Sequence, residues 1–188
     1  VRISYQQGPN GKPYLGKWQD VSAEKDFTHQ FHLTNLKPNT TYKFQIHAAP
    51  PGSDFPTEFA VSEFTTAPAQ DTWKDISFGV ITGQMYNDLD HPEGFHIYPA
   101  MQKLGIDFLV PTGDTVYYDS ELPRARNIHM ARYHWQRTYS MPRLIEFHNK
   151  IPAYFEKDDH DTLSNDAWPG LNPKMMLPLT WEHGLNLF

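Results

Sequence analysis

The first residues of the chain alternate. Val1, Ile3 and Tyr5 are apolar, and Arg2, Ser4 and Gln6 between them are polar, the period-two pattern of a strand with one buried face. A turn cluster follows, Gly8-Pro-Asn-Gly-Lys-Pro13, and residues 18–21 predict a short strand. Phe27, His29, Phe31 and Leu33 alternate again and predict another. After a turn at Leu36-Lys-Pro-Asn, the alternation returns with Tyr42, Phe44 and Ile46. Val61 to Phe64 predicts a closing strand, and Thr65-Thr-Ala-Pro68 an exit linker.

From Trp73 the pattern changes. Ile76-Ser-Phe-Gly-Val-Ile81 is an almost unbroken apolar run, typical of a strand in a sheet covered on both faces. His96 to Leu104 carries Ile97, Met101 and Leu104 at helical spacing, with Pro99 in the first turn and Gly105 as the stop. Ile106 to Val110 is the next strand. Strand, helix, strand predicts a right-handed crossover with both strands parallel. Leu122 to Tyr139 predicts a helix with Ile128, Ala131 and Trp135 on one stripe, broken at Met141-Pro142. Arg143 to His148 adds a further turn or two, Ile151 to Phe155 a third strand, and the region near Leu179 a last helical turn.

Composition narrows the function. The 188 residues are 39% hydrophobic and 14% aromatic, which is enough for a real core. A net charge of −6 offers no basic face for nucleic acid, and no apolar run reaches the roughly 20 residues of a membrane span. There is no cysteine, so disulfides and thiolate metal sites are excluded; this fits an oxidising compartment. The chain opens inside strand-like sequence at Val1 and stops on an apolar residue at Phe188, so the expectation is an internal piece of a longer protein. His29, His32 and His47 have no neighbouring acids and read as structural or surface histidines. Asn39-Thr-Thr41 fits a glycosylation acceptor pattern, but ordinary turn chemistry is the favoured reading.

In open parallel sheets, ligands bind beyond the carboxyl ends of the strands. Three such ends are legible: Thr82-Gly83-Gln84, Gly113-Asp114 with Tyr117, and Asp158-Asp159-His160-Asp161. Carboxylates suit Ca2+, Mg2+ or Mn2+, whereas a phenolate needs a stronger Lewis acid such as Fe3+. The bland alternatives are a turn and helix cap at Gly113-Asp114 with Tyr117 in the core, and a solvated acidic loop at residues 158–161. Three carboxylates and an imidazole in four residues nonetheless repel unless something compensates them. An EF-hand is excluded, because the central Gly and closing Glu are missing.

The ordered set Gly113-Asp114-Thr-Val-Tyr117, then Asp158-Asp159-His160-Asp161 with Asn165-Asp166, resembles the calcineurin-like metallophosphoesterase superfamily, and within it the PhoD-like alkaline phosphatases. The leader is similar too. Leu-x-Pro followed by Thr-x-Tyr-x-Phe-x-Ile resembles the tyrosine corner of fibronectin type III and immunoglobulin-like sandwiches, and that family commonly carries such a domain ahead of a linker like Thr66-Ala67-Pro68. The resemblance implies a multi-domain fold. Residues 1–68 would be a partial immunoglobulin/fibronectin III-like β-sandwich, 69–74 a linker, and 75–188 the N-terminal half of an α/β metallophosphoesterase domain. A complete sandwich has about seven strands, and the absent ones would precede Val1.

Carried over residue by residue, the resemblance implies that Asp114 bridges two metals and Tyr117 holds the ferric ion. Asp159 would bind the second metal, His160 would act on the phosphoryl oxygens or the leaving alkoxide, and Asp161 would orient His160. The cofactor expectation is metal ions, Fe3+ and Ca2+ first, with Zn2+ or Mn2+ as alternatives. The implied activity is hydrolysis of a small-molecule phosphoester by a metal-activated hydroxide, in a secreted or periplasmic protein. One departure stands out: relatives supply an Asp or Cys at the first strand end, where this chain has Thr82-Gly83-Gln84. The rival expectations are a non-catalytic homologue serving as a binding or adhesion module, and a Ca2+-stabilised sugar-binding protein.

Overall fold

Strand β1 (Arg2–Gln7) forms where the alternation predicts it, and pairs antiparallel with β3 (Thr41–Ala48), Ile3 facing Ile46 and Tyr5 facing Phe44. β3 pairs in turn with β4 (Glu58–Thr65), and a two-residue strand, β2 (Tyr14–Leu15), lies on the far edge of β1. The result is a four-stranded antiparallel sheet in the order β2-β1-β3-β4. Its packed face joins Ile3, Tyr5, Tyr42 and Phe64, with Tyr42 stacked on Phe64 at 5.7 Å between centroids. The Tyr42 hydroxyl accepts the Lys37 N–H at 2.9 Å, the back-bond expected of a tyrosine corner. These details come from a computed structural model, which describes residues 1–187; Phe188, the last residue of the expected phosphoesterase half-domain, lies outside the described residues.

Two expected strands of this unit do not form. Phe27 adopts a left-handed backbone, φ 53°, and residues 29–35 instead cross the packed face over Ile3 and Tyr5, enclosing a groove of about 490 Å3. The outer edge of β1 pairs instead with β2, at Ser4 and Tyr5. Residues 18–21 run beside the start of β1, held by reciprocal bonds between Val1 and Gln19 at 2.7 and 2.8 Å, and Trp18 receives the Arg2 guanidinium at 4.4 Å.

The chain divides into two compact units, Val1–Asp75 and Ile76–Phe188. In the second, β5 (Phe78–Ile81) and β6 (Phe108–Pro111) are parallel, with Phe78 opposite Phe108. Helix α1 (Ile97–Leu104) makes the crossover and ends at Gly105. Residues 151–156 lie parallel along the other edge of β6, as isolated bridges from Leu109 to Ala153 and from Thr112 to Glu156 rather than as a continuous strand. Consequently the acidic loop begins beside the end of β6.

Helix α2 (Ile128–Tyr139) starts later than its composition predicts. Residues 122–127 are irregular, and Asn127 caps the helix by accepting the Met130 N–H at 2.9 Å. Pro142 opens α3 (Pro142–His148), and a short α4 (Trp181–Leu185) is capped by Thr180. One core joins Tyr98, Met101, Leu109, Leu144 and Phe147 beneath the sheet; a second joins Val116, Tyr118, Ala131, Leu163, Met176 and Leu179. In this chain Phe78 and Val80 are 55% and 58% exposed: α1 and α3 pack on one face of the sheet, and no described element of this unit covers the other.

Candidate metal centre

β6 delivers its chain end through Thr112, whose N–H and hydroxyl both donate to the Ile81 carbonyl at 2.9 and 3.2 Å. The backbone then turns left-handed at Gly113 (φ 92°) and Asp114 (φ 52°). Glycine is required at 113 for space as well as conformation. A Cβ there would sit 2.3 Å from the Asp158 Cβ and 2.7 Å from its amide nitrogen, so the two strand-end loops touch at this point. Asp tolerates the left-handed region better than most side chains. The first strand end joins them through the Gln84 N–H, which donates to the Asp114 carbonyl at 2.7 Å.

This convergence brings Asp114, Asp159 and His160 together, each offering a ligand atom within 4.8 Å of the others. Tyr117 joins them: its hydroxyl donates to Asp114 Oδ2 at 3.2 Å and its ring lies 4.5 Å from the His160 ring. The Asp159 carboxylate accepts the His160 N–H at 2.7 Å and also the Asp166 N–H. Asp114 Oδ1 is buried without a hydrogen-bond partner. A buried, unpaired carboxylate oxygen beside a second carboxylate and an imidazole is expensive unless a cation completes it, and this donor set fits one.

The electrostatics agree. Burial lifts the Asp114 carboxyl above its ordinary range, with Asp159 and Asp158 pushing the same way and the His160 ring and Tyr117 hydroxyl opposing them. Burial and then the Asp114 charge hold the Tyr117 phenol well above its usual value. His160 moves the other way from most buried imidazoles. Burial disfavours its charge, but the hydrogen bond and charge of Asp119 outweigh that cost and raise its pKa.

Asp119 is the residue that sequence reasoning missed. Its Oδ1 lies 2.7 Å from His160 Nδ1, while Oδ2 accepts the Asn165 N–H at 3.2 Å. The orienting role expected of Asp161 is therefore corrected. Asp161 is fully buried and ties the two loops through their backbone, accepting from Thr115 and Val116 at 2.8 Å each and from Asp158 at 3.2 Å. Burial lifts its carboxyl to about 6. An adjacent residue cannot fold its carboxylate under the neighbouring ring while capping that loop; a residue from the other loop can. The available signal was a further acid two positions after Tyr117.

Asp158 accepts the Asp159 N–H at 2.9 Å and shapes its own loop. At the first strand end, Gln84 Oε1 accepts the Tyr98 hydroxyl, and its Nε2 is buried without a partner. A Cβ on Gly83 would lie 3.6 Å from the Tyr117 hydroxyl, so a ligand-bearing side chain at this strand end has room to face the group.

No protein-family model and no curated protein sequence matches the chain. Solved structures do. The structure of PhoD matches 99% of this chain with a TM-score of 0.71 at 14% identity, and the match covers 38% of that protein. Purple acid phosphatase PPD1 from yellow lupin (Lupinus luteus) seeds matches 90% of this chain with a TM-score of 0.58, also at 14% identity, over 31% of its length. The chain thus has the fold of about a third of each protein: an antiparallel four-stranded sheet followed by a parallel α/β segment.

Proposed function

We propose that this chain belongs to a metal-dependent phosphoester hydrolase, PhoD-like in kind, in which it contributes the β5 and β6 half of the site. The observation that carries the reading is the convergence of Asp114, Asp159 and His160 around an unpaired, buried Asp114 oxygen, in a fold shared with two phosphatases. Asp114, Tyr117 and Asp159 would hold the ions, with Fe3+ and Ca2+ preferred and Mn2+ and Zn2+ as alternatives. Bound there, cations supply Lewis acidity toward the phosphoryl group and a nucleophile drawn from water.

The chain's own residues do the rest. Asp119 holds the His160 Nδ1 proton, which leaves Nε2 to carry the second proton and deliver it to the leaving alkoxide oxygen. Asp161 keeps the two loops in register. In this reading residues 1–68 are part of an immunoglobulin/fibronectin III-like sandwich, a view that the Lys37 to Tyr42 back-bond supports, 69–74 are a linker, and the whole protein is secreted or periplasmic.

A second reading rests on Gln84. The first strand end carries no acid, and its one polar side chain of any length is engaged by Tyr98, as in a homologue that has become a binding module. Metal analysis and assays of aryl phosphate mono- and diesters on the whole protein separate the two. Bound metal with turnover that disappears in Asp114→Asn supports the hydrolase; a native protein without turnover, with or without bound metal, sinks the hydrolase and supports the module.

A further inference from the structure

Glu121, His134 and Arg137 form a charged group outside the site and have no part in the chemistry above. Glu121 is 1% exposed, His134 0% and the Arg137 side chain 8%. One Glu121 oxygen accepts the Asn87 N–H at 3.0 Å; the other is held by Arg137 Nη2. His134 Nε2 donates to the Pro123 carbonyl at 2.8 Å, and Nδ1 lies 3.0 Å from Arg137 Nη2 and 3.4 Å from Glu121 Oε2. Arg137 also donates to the Leu122 carbonyl at 2.9 Å and lies 4.3 Å over the Tyr86 ring.

The placement of these contacts matters more than their number. Asn87 sits in the turn that follows Gln84, at the end of β5. Glu121 sits one turn beyond Tyr117, its N–H donating to the Tyr117 carbonyl at 3.3 Å. A single carboxylate therefore spans the first two strand-end loops and anchors both to α2. The same helix grips the second loop again through Trp135 Nε1, which donates to the Tyr118 hydroxyl at 2.6 Å. A buried ion pair seldom adds net stability over apolar side chains of the same size, so stability alone is a poor account of this one.

We propose that Glu121 and Arg137 form a metal-independent latch that presets the spacing of the β5 and β6 loops, making Glu121 a positioning residue for Tyr117 and Asp119. Its consequence for metal affinity rests on the hydrolase reading; the latch itself does not. The latch fixes geometry before any ligand arrives, as the outer contacts of metal ligands commonly do.

The test uses the full chain as native protein, Glu121→Gln, the double variant Glu121→Leu/Arg137→Met, and Asp114→Asn. The double variant strands no buried charge and so covers the case in which Glu121→Gln fails to fold. Hydrogen exchange is followed in EDTA, and Mn2+ affinity by calorimetry. The latch predicts exchange over residues 114–121 at least about 10-fold faster in both latch variants with α1 and α3 unchanged, and Mn2+ affinity about 10- to 100-fold weaker. Unchanged exchange, or acceleration spread evenly over the whole unit, overturns it. So does native Mn2+ affinity in both latch variants. If Asp114→Asn binds Mn2+ like the native chain, the metal reading has failed instead, and exchange alone decides the latch.

Discussion

The Asp119 carboxylate meets His160 Nδ1 at 2.7 Å across 41 residues of sequence, and this pairing fixes which nitrogen of the imidazole is free for chemistry. With the Nδ1 proton committed, Nε2 is the atom that can give or take one. In Asp119→Asn the His160 pKa should fall below its native value, because the hydrogen bond and charge of Asp119, the largest of the interactions that raise it, are lost or weakened while burial remains. An NMR titration of the imidazole measures this. On the hydrolase reading, turnover of the whole protein should drop about 10²- to 10⁴-fold with Mn2+ still bound; loss of metal instead would assign Asp119 to the ligand set.

Removing charge from the site should not weaken the metal-free protein. Burial, and after it the charges of Asp159 and Asp158, raise the Asp114 pKa against the opposing His160 ring and Tyr117 hydroxyl, and Asp114→Asn removes the buried charge. In EDTA its Tm should equal or exceed the native value, and added Mn2+ should raise the Tm of the native chain but not that of the variant. A large Tm loss in EDTA would mean that Asp114 is structural.

Gly113→Ala should be severe. The added carbon meets Asp158 at 2.3 Å in a left-handed backbone position, and both problems push the two strand-end loops apart. The expected cost is about 2–4 kcal/mol in denaturant unfolding, accompanied by loss of Mn2+ affinity.

His148 gives a pH signature. It lies among Tyr98, Tyr139, Phe147 and Phe155, with Nε2 buried and unpartnered, and burial lowers its pKa from 6.5 to about 4. Between those values the unfolded chain takes up a proton that the folded chain refuses, so stability from this group falls as pH drops from 6.5 toward 4. Asp161 works in the opposite direction below pH 6, its folded pKa being raised. The readout is therefore a difference: between pH 7 and 4.5, His148→Phe should lose less stability than the native chain, by on the order of 2 kcal/mol.

In the antiparallel unit, Tyr42→Phe strips the acceptor from the Lys37 N–H. About 1–2 kcal/mol should be lost in denaturant unfolding, with no effect on Mn2+ binding.

Much of this architecture is written in local patterns. Alternation marked β1 and β3, helical spacing marked α1, and a turn followed by an acid at the strand ends marked Asp114 and the acidic loop. These signals are legible because each depends on residues a few positions apart. Alternation does not, however, say whether an edge is free. Phe27 to Leu33 has the pattern of a strand, yet β2, with only two residues, holds the β1 edge. The apolar run at β5 likewise does not say how many faces are covered. The family resemblance assigns Asp161 to His160, but a buried carboxylate bonds whichever unsatisfied N–H groups the packed loops present, here those of Thr115 and Val116. The sequence by itself therefore determined the order of the longer elements, β1, β3 and β4 and then β5, α1, β6, α2 and α3, and which residues carry charge to the strand ends. Only tertiary structure decided that Asp119 rather than Asp161 holds the histidine, that Asp114 keeps an oxygen without a partner, and that Glu121 spans two loops, because each of these is a contact between segments that meet only when the sheet has formed.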